Sequence, residues 1–243
     1  MKRNLNYIAI IPARSGSERI KDKNLIKINN LPLIAHAIET AKKTKLFSRV
    51  ILSTDSLKYY KIGKKFGADD SKIRPKKISK SNSPDYEHII FQLDELKKKK
   101  NYFDVFVLLR PTSPFRTKKT IKTAIDIFEK NCEKVDSLRA IKPVKEHPYK
   151  MWVKKDNLIK PIFPLKNSKG ISFHSMQKKS LPSMFIQSAM IEISWVRNLK
   201  NKSISGNKIL PFFSSEKENF DINDPEDLVI MKRYIKNKKS NIF

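Results

Sequence analysis

The residues best suited to chemistry follow the first apolar run. Tyr7-Ile8-Ala9-Ile10-Ile11 is closed by Pro12, and Ala13-Arg14-Ser15-Gly16-Ser17-Glu18-Arg19-Ile20-Lys21-Asp22-Lys23-Asn24 comes next. Small residues let backbone N–H groups approach a ligand, and Arg and Lys bring cations to it. Together they suit the oxygens of a triphosphate. The segment is not a P-loop, because the spaced glycines and the Gly-Lys-Ser/Thr ending are absent. Taken alone, a basic loop reads equally well as a solvated surface loop. Two further polar clusters end apolar runs: Ser53-Thr54-Asp55 and Arg110-Pro111-Thr112-Ser113. Near the C-terminus, Asp224 stands just before Pro225, a position suited to capping a helix.

The elements that must position these residues are legible from periodicity. Tyr7 to Ile11, Arg49 to Ser53 and Asp104 to Leu109 are short apolar runs that predict buried strands. Between them, Leu33, Ile34, Ala37, Ile38 and Ala41 recur at helical spacing. Asp55-Ser56 can cap a helix through Phe66, with Gly67 as its stop. Ser83-Pro84-Asp85 opens another helix, with Ile89, Ile90, Leu93 and Leu96 on its apolar face. A helix over 117–129, a strand over 135–141, a strand over 190–195 and a last helix from Asp224 to about Lys236 follow. This alternation predicts an α/β fold: a mostly parallel twisted sheet with helices on both faces. In such sheets ligands bind beyond the C-terminal ends of the strands, where the three polar clusters fall. From Lys142 to about Ser188 the pattern breaks, with prolines at 143, 148, 161, 164 and 182. That stretch, 143–188, reads as an irregular oligomerisation arm on a single domain spanning 1–243.

Composition bounds the class. The 243 residues suffice for one sizeable domain. The single cysteine, Cys132, excludes an internal disulfide framework and reads as a packed residue at a helix end. No run approaches the roughly 20 apolar residues of a membrane helix, and the apolar run 7–12 is too short for a signal core. The expectation is a cytoplasmic protein without a membrane partner. Lys and Arg number 52 against 24 Asp and Glu, a net charge of +28. The excess is mostly lysine spread along the chain, as in Lys97 to Lys100, which reads as a solvated surface. Neither aromatic interleaving nor a nucleic-acid motif accompanies it, so no nucleic-acid partner is expected.

The loop after the first strand resembles the N-terminal signature of the CMP-sugar synthetases, the acylneuraminate cytidylyltransferase family. Further segments are similar to that family's in the same order: Pro32-Leu33-Ile34, Val50-Ile51-Leu52-Ser53-Thr54-Asp55, Ile73-Arg74-Pro75 and Leu108-Leu109-Arg110-Pro111-Thr112-Ser113-Pro114-Phe115-Arg116. Glu146-His147-Pro148-Tyr149-Lys150 and Phe220-Asp221-Ile222-Asn223-Asp224-Pro225-Glu226-Asp227 complete the set. The resemblance runs from residue 8 to about 230.

The resemblance implies a Rossmann-like nucleotidyltransferase. In this family the anomeric hydroxyl of an acidic nine-carbon sugar attacks the α-phosphate of CTP, and magnesium pyrophosphate leaves. It implies that Arg14, Ser15, Ser17 and Lys23 contact the triphosphate and Asn24 the cytosine or ribose. Arg74 would meet phosphate, and Ser83 and Asp85 fall in the stretch that reads the base. Arg110, Thr112, Ser113, Lys150, Lys178 and Ser188 fall at sugar-binding positions. Asp221 and Asn223 correspond to an Asp-x-Asp pair that holds magnesium, so Arg14, Lys23 and Asp221 are the catalytic candidates. His147 is assigned no chemistry, and no general base is evident. A homodimer is implied, with 143–188 as its arm. Four positions depart from the pattern: Glu18 for Lys, Arg110 for Gln, Ser188 for Asn and Asn223 for Asp. Two other readings stand beside this one. One is a CMP-Kdo synthetase or other sugar nucleotidyltransferase. The other is a non-catalytic basic protein that binds polyanions.

Overall fold

The computed structural model describes residues 4–166 and 169–240, with side chains described to 236. Within these the chain forms two compact units, one before residue 141 and after residue 187, the other between them.

The first unit is built on a six-stranded sheet. β1 (Tyr7–Pro12) leads through two-residue strands β2 (Lys27–Ile28) and β3 (Leu31–Pro32) into α1 (Leu33–Lys42). β4 (Arg49–Ser53), α2 (Leu57–Lys65), α3 (Asp85–Lys98), β5 (Val105–Leu108) and α4 (Lys118–Asn131) follow. The chain continues through β6 (Ser137–Pro143), β7 (Trp152–Lys155), β8 (Leu158–Pro161), β9 (Phe185–Trp195), β10 (Ile209–Phe213) and α5 (Pro225–Ser240). The strand order is β10-β6-β9-β5-β1-β4. β1 pairs in parallel with β4, Ala9 against Val50, and with β5, Ala9 against Val107. β9 runs antiparallel to β5, which the periodicity of 190–195 does not reveal.

The apolar runs are nearly continuous because both faces of the parallel strands are covered. Alternate side chains divide between two cores. Ala9, Ile11, Val50, Leu52, Val105 and Val107 pack with α1 and α4 residues such as Ile38 and Phe128. Ile8, Ile10, Ile51, Phe106 and Leu108 pack on the other face with Ile89 and Leu96 of α3. Cys132 is buried just past α4, as a packed residue. Ser56 caps α2 by accepting the Tyr59 N–H, and Gly67 takes φ 87° beyond its end. Asp55 is free for a different task, described below.

The second unit is more regular than its prolines suggest. β7 and β8 form an antiparallel hairpin, Lys155 against Leu158, with Asp156 in left-handed backbone at φ 53°. Tyr149 packs on His147, Phe163 and Phe173, and Trp152 on His174. His147 is buried, with Nε2 2.9 Å from the Pro182 carbonyl oxygen, a structural role. Among the described residues no helix is long and apolar enough to cross a membrane.

Candidate active site

The loop after β1 is braced at several points. The Ser15 N–H and hydroxyl both donate to Asp55, at 2.8 and 3.0 Å. The Tyr59 hydroxyl donates to Asp22 at 2.8 Å, where the backbone turns left-handed. The Asn24 amide donates to the Arg14 carbonyl at 3.1 Å, and the Lys23 ammonium to the Ile222 carbonyl at 3.0 Å. Arg19 pairs with Asp224 at 2.9 Å. These ties brace the basic segment, and bracing of this kind reduces the ordering cost of a ligand bound there.

The loop forms one wall of a cavity of about 290 Å³. It sits where β1, β4 and β5 end, as the topology of parallel strands leads one to expect. Of the residues singled out in the sequence, Arg14, Ser17, Lys23, Asn24, Arg74, Ser83, Asp85, Arg110 and Thr112 line it. Arg14 is only half-buried, and its guanidinium has no hydrogen bond or ion pair with a described residue. Lys23 is half-buried; burial lowers its proton affinity, and Asp221 opposes that. Its ammonium has three donors and uses one on Ile222. Arg74 is buried, donates to the Ser53 carbonyl at 2.5 Å, and is pushed down to about 10 by burial. Its Nε has no hydrogen-bond partner among the described residues.

Asp221 and Asn223 are not cavity-lining but adjoin it. Ile222, between them, receives Lys23 on its carbonyl and donates its N–H to the Thr112 carbonyl at 2.9 Å. Oδ1 of Asp221 is buried without a hydrogen-bond partner among the described residues, while Oδ2 accepts from the Asn223 amide at 3.1 Å. The expected cap by Asp224 is not what forms. Its carboxylate pairs with Arg19, and Asp227 turns back to accept the N–H groups of Asn223 and Asp224 at 2.7 and 2.9 Å.

The remaining candidates lie elsewhere. Ser15 is held by Asp55 behind the cavity wall. Ser113 and Ser188 are buried, and neither lines the cavity. Lys150 and Lys178 belong to the second unit, where the Lys178 ammonium donates to the Val144 and Lys145 carbonyls, each at 2.8 Å. Glu18 lines the cavity and has no ion-pair partner among the described residues; the neighbouring Arg19 is taken by Asp224.

Several residues that the sequence did not single out complete the site. His88, one turn into α3 from Asp85, lines the cavity. Its Nε2 is 3.3 Å from Asp85 and poorly aligned for a hydrogen bond, and Nδ1 is 3.3 Å from the Ser53 hydroxyl. Arg110 bridges Asp85 and Glu192, each at 2.8 Å, and Arg139 meets the second Glu192 oxygen at 2.6 Å. Burial works against the Asp85 carboxylate, but His88 and Arg110 outweigh it and hold its pKa well below the usual range. Burial likewise works against the Arg110 cation, and Glu192 and Asp85 outweigh it, raising its pKa. Arg116, fully buried, donates to the Met190 and Arg110 carbonyls at 2.6 Å each, fixing the 110–116 turn. Helical spacing relates only Asp85 and His88, three residues apart on α3; Arg110 with Asp85, Arg110 with Glu192 and Arg139 with Glu192 each join distant elements.

His88 supplies a pH dependence. Burial pushes it down to about 4, against the opposing pull of Asp85. A histidine held neutral in the fold contributes stability fully above its unfolded value near 6.5, and loses it as pH falls toward 4. Unfolding free energy therefore drops by a few kcal/mol over that window, and by clearly less in His88→Gln. Urea melts across pH 4–7 check this; parallel profiles for the two proteins would contradict it.

Comparison with known proteins shows the family. Residues 8–160 match the family model described as cytidylyltransferase. A pseudaminic acid cytidylyltransferase and hydrolase of Helicobacter pylori is 34% identical over 148 residues, 61% of this chain and 28% of that protein. A CMP-N,N'-diacetyllegionaminic acid synthase of Legionella pneumophila is 31% identical over 161 residues, 65% of this chain and 67% of that protein. The structure of CMP:2-keto-3-deoxy-manno-octonic acid synthetase complexed with CTP superposes with TM-score 0.65 at 14% identity. It covers 96% of this chain and 99% of that one, a likeness of fold. The matched region is thus little more than a quarter of the Helicobacter protein. With the cavity at the ends of the parallel strands and the family match across most of the first unit, the chain belongs to the cytidylyltransferase family, the one that contains the CMP-sugar synthetases.

Proposed function

We propose that the protein transfers CMP from CTP to the anomeric hydroxyl of a nonulosonic acid of the sialic, legionaminic or pseudaminic type, releasing pyrophosphate. The observation that carries this reading is the convergence of Arg14, Lys23 and Arg74 on one cavity at the ends of three parallel strands. Relatives named for pseudaminic and legionaminic acids support the acceptor class.

Arg14, Ser17 and Lys23 hold the triphosphate oxygens, with Arg74 on the facing loop and Asn24 toward the ribose or base. Ser83 and Asp85 meet the base. Preset cations lower the barrier because they need not reorganise as charge moves onto the departing pyrophosphate. Thr112, which lines the cavity, faces the acidic sugar in this reading. Arg110 already faces two carboxylates, so in this reading it shapes the site without being the sugar carboxylate's receptor.

Asp221 and Asn223 fit magnesium. An orphaned buried carboxylate oxygen and an amide oxygen are hard ligands, and this ion keeps several waters. No group of three or more His, Cys, Asp or Glu side chains that could hold a metal occurs among the described residues. When bound, magnesium neutralises charge on the phosphate oxygens. The exposed apolar side chains Trp152, Val153, Leu158, Ile159 and Ile162 suit the second unit to pairing with another copy of this chain.

The test is pyrophosphate release with CTP, magnesium and a panel of nonulosonic acids, with Kdo alongside. Release with one or more nonulosonic acids is the expected result. Release with Kdo alone would move the acceptor to an eight-carbon acid. No release from well-folded protein would refute the enzyme reading and favour a polyanion binder, whose hallmark is salt-sensitive binding without triphosphate preference.

A further inference from the structure

Arg110, Glu192 and Arg139 form a ladder of alternating charge behind Asp85. Arg110 takes Oδ2 of Asp85 and one oxygen of Glu192; Arg139 takes the other Glu192 oxygen and the Ser205 hydroxyl at 2.8 Å. The ladder joins the first turn of α3, the end of β5, β9 and β6. With His88 neutral, its two carboxylates and two guanidinium groups sum to zero charge, so it adds no net attraction for phosphate. Glu192 is buried, and its neighbours on the ladder are largely so. Such an arrangement costs desolvation and is held only by good geometry, so it fixes position more than it stabilises.

What it positions is the Asp85 carboxylate. That group lines the cavity and keeps about a third of its side chain accessible. A carboxylate offers about four acceptor sites, and Arg110 and His88 face only part of them. An oriented, ionised acceptor takes a hydrogen bond from an exocyclic amine and repels a carbonyl oxygen. These are the groups that distinguish cytosine from uracil at one ring position.

We propose that Glu192 and Arg139 are positioning residues for base selection: through Arg110 they aim the Asp85 carboxylate so that the cavity accepts CTP and rejects UTP. This rests on the nucleotide reading of the cavity and adds residues outside its wall. Loss of Arg139 leaves Glu192 competing with Asp85 for the one remaining guanidinium. A triphosphate would feel the changed charge whichever base it carries, but only a displaced Asp85 alters the ratio between bases.

The experiment is equilibrium binding of CTP and of UTP, each with magnesium, to wild type, Arg139→Gln, Arg139→Lys and Asp85→Asn, with thermal melts confirming folding. Wild type prefers CTP. Arg139→Gln loses about tenfold of that preference, the scale of a hydrogen bond to a charged group. Arg139→Lys, which keeps the charge, stays within about threefold of wild type. Asp85→Asn, which turns part of the acceptor into a donor, loses at least as much preference as Arg139→Gln. Should Arg139→Gln fail to fold, Asp85→Asn still decides: an undiminished preference there overturns the proposal. Equal weakening of both nucleotides in Arg139→Gln also overturns it, reducing the ladder to a charge effect. A wild type that binds neither nucleotide would instead refute the reading of the cavity itself.

Discussion

Arg14→Ala leaves a folded protein whose turnover falls about 10²–10³-fold, the usual scale for removing one preset donor to developing charge. The structure separates the two effects. The Arg14 guanidinium makes no hydrogen bond or ion pair with a described residue, so its removal breaks no contact that the fold uses. The backbone contribution, the carbonyl that accepts from Asn24, survives in alanine. Surface and half-buried truncations of this kind usually shift stability by about 0.5 kcal/mol or less. Steady-state kinetics with a thermal melt checks both halves. Near-normal turnover would remove Arg14 from the chemistry, and a large loss of melting temperature would make its role structural.

Asp221→Asn is expected to lower turnover by about a hundredfold and to raise the magnesium concentration needed for half-maximal rate at least tenfold. The carboxylate's buried Oδ1 has no hydrogen-bond donor among the described residues, which leaves it open to a cation in the proposed reading. Asn223 contributes only a neutral amide, leaving Asp221 as the one anionic ligand of the pair. Lys23 and Arg116 both feel the Asp221 charge, but the Lys23 ammonium is directed to the Ile222 carbonyl and the Arg116 guanidinium to the Met190 and Arg110 carbonyls. Turnover measured across a magnesium titration distinguishes the cases. A fall in rate with an unchanged magnesium midpoint would mean that Asp221 acts only through Lys23.

The fold was legible where burial imposes a pattern. β1, β4 and β5 read as strands because two covered faces demand an unbroken apolar run. Ile34, Ala37, Ile38 and Ala41 announced α1 because only one stripe of it meets the sheet. β7 and β8 escaped because every residue but Pro161 is exposed and lysines recur through them, so no alternation survives. β10 escaped because Pro211 interrupts it, a residue tolerated there by an edge strand. The antiparallel sense of β9 has no local signature at all.

The site was legible in one dimension only. The loop after β1 announces itself by composition and by resemblance, and so do the polar ends of β4 and β5. Its braces do not: Ser15 with Asp55, and Arg19 with Asp224, lie 40 and 205 residues apart. Asp55 and Asp224 looked like helix caps because the same residue types serve both ends. In the fold, Ser56 and Asp227 make those local bonds and release both aspartates for long-range pairing. Glu192 read as one polar position in an alternating strand, and only the register of β9 beside β5 brings it to Arg110.

A crystal structure of the protein with CTP and magnesium would locate the triphosphate. Triphosphate oxygens are expected within hydrogen-bonding distance of the Arg14 guanidinium and the Lys23 ammonium, inside the cavity at the ends of β1, β4 and β5. Nucleotide density elsewhere on the molecule, with those two side chains turned to solvent, would contradict it.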